Sequence, residues 1–278
     1  MLTHLSEMFK IVKYDGYLMS VLDCESIESL EYSLESIFNI PISDIKRFLS
    51  DLDITRLESK IILDFNCIET VLLDEMVTKF KIQPSFDTTC WFHLTRTSRP
   101  EDFKKGIYPL DDIINTIWND LYSYLCDDLT EQQWLKFRGA FENGKLRAEC
   151  QDSYLLYELK MGGVGQGPFA VLIRDVSLIQ TGHDNFDYLD VPEIIRDICN
   201  CYEKIYNIDL LTKYKHNTKK YAIKFKSDIH DVYHLGFAIL YFYKTLHKID
   251  IGPYDNCFFG GNGTKIISEN ILKIIPQG

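Results

Sequence analysis

The segment that most limits what this chain can become runs from Val232 to Leu246, where Phe237, Ile239, Leu240, Phe242, Tyr243 and Leu246 make a helix apolar on nearly every face. Such a helix has no side to offer to water and must be enclosed. It stops short of the roughly 20 apolar residues that span a bilayer, as does every other apolar run, so it reads as a core helix and no membrane partner is expected. A chain of 278 residues is long enough to enclose it, as one large domain or a domain with an appendage. With 46% hydrophobic and 26% charged residues the composition is that of a globular protein, which excludes a long disordered chain and a coiled coil.

From Met1 to about Lys81 the pattern is one of short helices. Ser26 to Phe38 carries Ile27, Leu30, Leu34 and Ile37 near helical period, and Ser43 to Leu52 carries Ile45, Phe48, Leu49 and Leu52. The stretch Lys60-Ile-Ile-Leu-Asp-Phe65 reads as a strand or a helix start. Residues 83–89 are turn-rich and the character of the chain changes after them. This sets a boundary near residue 85, with a mostly helical accessory domain over 1–84 and a mixed domain over 85–278.

In the second part, Cys90 to Arg96 reads as a strand of aromatic and β-branched residues. Ser98-x-x-Glu101 with Pro100 fits a capping box opening a short helix that ends at Gly106. Further helices are expected from Leu110 to Cys126, from the capping pattern Thr130-Glu-Gln-Gln133 onward, and from Pro192 to Ile205. Strands are expected at Tyr154 to Leu159 and Phe169 to Val176, flanking a glycine-rich loop from Met161 to Pro168, and again at Tyr221 to Lys226 and Thr264 to Ile275. Strands and helices mix without a regular βαβ alternation, which argues for an α+β fold.

The 30 basic and 41 acidic residues give a net charge of -11. A surface of that sign repels phosphate backbones, so nucleic-acid contact would have to be local. The eight cysteines, Cys24, Cys67, Cys90, Cys126, Cys150, Cys199, Cys201 and Cys257, form no CxxC pair, and Met1 to Lys10 lacks a signal-peptide pattern. They read as reduced thiols of a cytoplasmic protein.

Several segments could carry chemistry. On a strand, Trp91, His93 and Thr95 share one face, and a histidine beside a hydroxyl can hold the two hydroxyls of a ribose; the plain alternative is a core histidine beside a β-prone threonine. The glycines from Gly162 to Gly167 could cradle a phosphate, yet they match neither G-x-G-x-x-G before a helix nor a P-loop ending, and read as a loop between strands. His230-x-x-x-His234 is at most half of a metal site, without HExxH, and no metal is expected. Lys213, Lys215, Lys219, Lys220, Lys224 and Lys226 with His216 form the basic cluster of an acidic chain and read as a solvated strand edge, with phosphate contact as the alternative. No G-x-S-x-G nucleophile motif is present.

An apolar strand ending in His93-x-Thr95, a short helix and then Gly106-Ile107 resembles the opening of the ADP-ribosyltransferase superfamily, especially its His-Tyr-Glu branch and the DNA-modifying bacterial toxins. The closing segment Ile267-Ser-Glu-Asn-Ile-Leu-Lys-Ile-Ile-Pro276 is similar to that family's last strand, with a glutamate at its start. The resemblance covers residues 88 to 278 loosely, leaves a helical insertion near residues 110 to 145 unmatched, and lacks an unmistakable central tyrosine. It implies a split β-sheet core that binds NAD, with His93 and Thr95 on the ribose, Arg96 on the pyrophosphate and Glu269 at the reacting sugar; Glu193 is a second choice for the carboxylate. Phe169, after Gly167-Pro168, is implied as the ring stacking on nicotinamide, with Tyr157 and Tyr108 as rivals.

Breaking the bond between nicotinamide and ribose creates an oxocarbenium-like centre that a nearby carboxylate stabilises. The implied activity is ADP-ribosyl transfer to a protein, a nucleic-acid base or water, as would suit a bacterial toxin, a defence protein or a phage-encoded factor. The alternative is a non-catalytic interaction protein that binds a protein partner through an acidic, aromatic surface.

Overall fold

The computed structural model describes residues 13–14, 17–18, 20–53, 67–125, 129–162, 167–178, 188–229 and 231–277. The stretch Lys60 to Phe65, residues 163–166 of the glycine-rich loop, Cys126 and His230 lie outside the described residues. The fold mixes helices with a largely antiparallel sheet, an α+β arrangement, and its Cα packing divides the chain into two compact units.

The first unit comprises Met1–Cys90 and Lys226–Cys257; the sequence boundary near residue 85 falls within its N-terminal part. Strands β1 (Lys13–Tyr14) and β2 (Tyr17–Leu18) form a small antiparallel pair. Strand β3 (Val21–Leu22) runs parallel to the start of β4 (Thr88–Thr97), pairing Val21 with Thr88 and Leu22 with Thr89. Helix α1 (Ile27–Phe38) begins at Ser26, whose hydroxyl caps the Ser29 amide while Ser29 reaches back, and it buries Leu30, Leu34 and Ile37. Helices α2 (Ile42–Asp51) and α3 (Ile68–Phe80) follow.

Helix α9 (Val232–His247) is the apolar helix that the sequence singles out. Every residue from His234 to Tyr243 is buried, and α9 packs on α3, α2 and α1. Gly236 sets the closeness of α3, because a Cβ there would lie 2.9 Å from the Glu69 carbonyl oxygen. Tyr243 donates to the Leu52 carbonyl at 3.1 Å, and His247 lies 2.9 Å from the Leu49 carbonyl.

The second unit comprises Trp91–Phe225 and Phe258–Gly278. Its sheet has the order β10 (Ile271–Gln277), β7 (Lys219–Ser227), β4, β6 (Phe169–Val171), β8 (Phe258–Gly260). A separate antiparallel pair joins β5 (Gly106–Ile107) to β9 (Ile266–Ile267). Helices α4 (Leu110–Ser123), α5 (Glu131–Glu142), α6 (Gln151–Met161), α7 (Glu193–Tyr206) and α8 (Leu210–Asn217) enclose an aromatic core. In it Trp118 and Trp134 lie 5.3 Å apart, Phe137 and Tyr202 5.0 Å, and Phe141 and Tyr157 5.0 Å, spacings at which aromatic pairs add to the energy of burial.

Several local expectations are corrected. Tyr154 to Leu159 lies in α6 and is not a strand: Cys150, Tyr154 and Tyr157 recur at helical spacing and are buried, while Leu159 is exposed. Ser98 caps no helix, since the Thr97 hydroxyl takes the Arg99 amide at 2.9 Å and the segment becomes a 3-10 turn over Pro100–Lys105. The strand expected at Phe169 to Val176 ends at Val171, and Asp175–Leu178 is a 3-10 turn. The final strand region is broken by a 3-10 turn at Ser268–Asn270 between β9 and β10. The lysine-rich strand is no edge, because β7 lies between β10 and β4. Its Lys224 is buried, with the ammonium 5.8 Å from the centre of the Phe92 ring. Cys150 and Cys201 are joined in a disulfide, in place of the expected reduced thiols, with Cα atoms 5.3 Å apart.

Candidate functional site

Strand β4 has two unlike faces. Phe92 and Leu94 turn into a small core with Val171, Leu189 and Ala222. Trp91, His93 and Thr95 alternate onto the other face, where the Trp91 ring sits 5.4 Å from Phe259.

His93 is the best-defined polar group of that face. Strands β4 and β6 pair at Phe92 and Val171, and next to that pair His93 Nδ1 lies 2.7 Å from the carbonyl oxygen of Phe169. A carbonyl only accepts, so Nδ1 carries the proton and donates. Burial pushes the imidazole below its ordinary value, more than the Phe169 carbonyl raises it, so the ring is neutral at physiological pH. In that tautomer Nε2 is the acceptor of the ring. The Phe103 ring stands 5.9 Å away. Thr95, two residues on, is buried.

Arg96 belongs to the opposite face and is already engaged. Its Nη2 donates to the carbonyls of Lys215 at 2.8 Å and Thr218 at 3.0 Å, and its Nε donates to the Thr218 hydroxyl at 3.1 Å. The carbonyls at a helix end carry partial negative charge and no helical partner, and the guanidinium satisfies them at the end of α8. Tyr214 donates to the Arg96 carbonyl at 3.0 Å. Arg96 therefore does not converge with His93 and Thr95, and its guanidinium is engaged by Lys215 and Thr218.

Phe169 is 42% exposed. The register pairs Ala170 with Phe259 and Phe169 with Gly260, which sets Phe169 on the face of Val171 and Phe92. Its backbone oxygen meets His93, while its ring belongs to the other side of the sheet. Among the rivals, Tyr157 is buried in the aromatic core, and Tyr108 carries Lys265, whose Nζ is 4.0 Å from the ring centre and 2.8 Å from the hydroxyl. Gly167, with φ +68°, accepts the Gly263 amide at 2.8 Å while the Pro168 carbonyl accepts the Gly261 amide at 2.9 Å, so the Gly167-Pro168 turn is tied to the turn after β8.

Glu269 is exposed on the 3-10 turn before β10. That turn packs against the Pro100–Lys105 turn and β5, so His93 and Glu269 flank the segment that holds Phe103. The backbone amide of Glu269 and then the Ser268 hydroxyl hold its carboxyl below the usual carboxylate range, and Lys265 adds to this. Glu193 stands elsewhere, at the start of α7, where its Oε2 is 2.6 Å from Lys160 Nζ.

The sequence reading missed Phe103. Its signal is its isolation, since it is the single apolar side chain among Glu101, Asp102, Lys104 and Lys105, all exposed in the structure. The histidine pair is represented by His234, which with Asp231 forms a reciprocal cap on α9. Among the described residues no group of three or more His, Cys, Asp or Glu is placed to hold a metal ion, and no helix is long and apolar enough to cross a membrane. Comparison with known proteins finds no matching family model, no similar curated protein and no similar solved structure.

Proposed function

We propose that the chain binds NAD at the His93 face of β4 and transfers its ADP-ribosyl group, to a protein, a nucleic-acid base or water, on an ADP-ribosyltransferase-like sheet. The observation that carries this reading is the locked imidazole: Nδ1–H donates to the Phe169 carbonyl, and the neutral ring offers Nε2 to a ribose hydroxyl. The Thr95 hydroxyl on the same face is the second ribose contact, and Phe103 is the ring beside it. Glu269, held ionised, supplies the negative charge that an oxocarbenium-like sugar needs as nicotinamide departs.

The reaction breaks the bond between the nicotinamide nitrogen and the anomeric carbon. The electron pair leaves with nicotinamide, which becomes neutral, and the acceptor's nucleophile then bonds to the carbon and loses its proton. Water as acceptor gives hydrolysis, and exclusion of water gives transfer.

The test is nicotinamide release from NAD by the full chain, alone and with cell lysate. Glu269→Gln is expected to lower release by roughly 100-fold or more, as loss of a charge-stabilising group does. His93→Ala is expected to weaken NAD binding about tenfold, one net hydrogen bond, and to lower the unfolding midpoint because the Phe169 carbonyl loses its donor, whereas Glu269→Gln is expected to leave the midpoint unchanged. A second reading, the interaction protein, is favoured by the commitment of Arg96 to α8 and the open position of Glu269. Absence of both release and calorimetric NAD binding would leave that reading alone.

A further inference from the structure

Between α6 and α7 of the second unit lies a group of ionisable side chains that the proposed site does not use. Lys160, from the last turn of α6, places Nζ 2.6 Å from Glu193 Oε2 and 3.9 Å from Asp197 Oδ2. Glu193 and Asp197 sit one turn apart on α7 and face Lys160 together. Asp197 is 6% exposed, and its Oδ2 has no hydrogen-bond partner among the described residues. One ammonium thus faces two carboxylates, and it lies closer to Glu193.

We propose that this cluster is a proton-binding site, in which Asp197 takes up one proton and the folded chain is the more stable in the protonated form. The physical reason is an unequal division of one cation. Glu193 is the more exposed carboxylate and holds the short ion pair, so its charge is compensated. Asp197 is left with the longer Lys160 contact, the weaker pull of Arg196, a like charge one turn away and little water, and a carboxylic acid is the less costly form there. The charged groups acting on Asp197 are Lys160 from α6 and Glu193 and Arg196 from α7, and none from α8, which also packs on α7, is among them. Tyr188 adjoins Glu193. Burial is the largest effect on Asp197 and raises it to about 7.

The sign follows from proton counting. Between the unfolded value near 4 and the folded value near 7, the native chain holds a proton that the unfolded chain has released, so stability falls as pH rises across that window and levels off above it. The test is urea unfolding of the full chain from pH 5 to pH 8.5 beside Asp197→Asn, with infrared detection of the protonated carboxyl. The ratio of wild-type to variant unfolding constants is expected to rise by roughly tenfold per pH unit between pH 5 and about 6.5. A protonated-carboxyl band that fades near neutral pH and is missing from the variant is expected beside it. Lys160→Met, which removes the cation that favours the charged form, is expected to move the midpoint to higher pH. A pH-independent ratio, or an infrared band that titrates below pH 5 in both wild type and Lys160→Met, would overturn the proposal.

Discussion

Breaking the Cys150–Cys201 bridge is the perturbation whose size follows most directly from the architecture. The bridge links the residue before α6 to the middle of α7 across a sequence separation of 51. Without it, the unfolded chain gains the freedom of a loop of that length. The chain-entropy relation gives about 14 cal/mol/K for such a loop, or about 4 kcal/mol at 25 °C. The double variant Cys150→Ala/Cys201→Ala retains apolar side chains at two buried positions and so isolates this effect from loss of burial. Urea unfolding without reductant is expected to show a loss of about 2–4 kcal/mol, toward the upper value if the native geometry is unstrained. The m-value should also rise, because the unfolded state exposes more surface once the loop is released. Reductant should lower the wild type toward the variant and leave the variant unmoved. Equal stability of the two, or eight free thiols titrated in the denatured, unreduced wild type, would refute the reasoning.

Two further perturbations test the placement of the remaining elements. Arg96→Ala removes three hydrogen bonds and leaves the Lys215 and Thr218 carbonyls unpaired, so a loss of about 2–3 kcal/mol is expected in denaturant unfolding. NAD binding by the folded variant should be unchanged, and a selective loss of binding would return Arg96 to the site. Gly261→Ala would set a Cβ 2.6 Å from Pro168 Cδ and 2.9 Å from its nitrogen; separation of the two turns should cost about 1–3 kcal/mol, read as a lower melting temperature.

How much of this was legible depended on how local the governing interaction is. Helix α5 is signalled by Thr130 with Gln133 three residues on, and the structure uses that cap, while α1 is signalled by the helical period of Ile27, Leu30, Leu34 and Ile37. Helix α7 is signalled by Pro192 and a row of apolar residues, all within a few turns. The strand expected over α6 shows the limit of composition, since tyrosine and leucine are common in strands while the spacing of Cys150, Tyr154 and Tyr157 is helical. The role of Arg96 could not be read at all, because Thr218 lies 122 residues away and a β4 arginine has nothing in its neighbourhood to announce a helix end. The interior position of β7 was hidden for the same reason: its lysines look like those of a guarded edge until β10 pairs beside them.

The alternation along β4 gives the candidate site its logic. Phe92, Leu94 and Arg96 hold the strand, through the small core with Val171 and through the end of α8. Trp91, His93 and Thr95 are therefore presented on a strand fixed from behind, and His93 is further fixed from the side by the Phe169 carbonyl. A buried imidazole needs a hydrogen-bond partner, and the Phe169 carbonyl supplies it. A neutral imidazole oriented through one nitrogen has its other nitrogen defined in direction as well as protonation, which is what recognition of a hydroxyl requires. The same argument predicts the pH behaviour of binding. Affinity for NAD through Nε2 should be constant at neutral and alkaline pH and fall only on acidification through the lowered value of His93, where protonation turns the acceptor into a donor. A fall in affinity that instead begins above pH 7 would mean that the contact runs through another group. A His93→Asn variant able to accept a hydrogen bond, yet silent to acid, should then retain part of the affinity and lose its pH dependence.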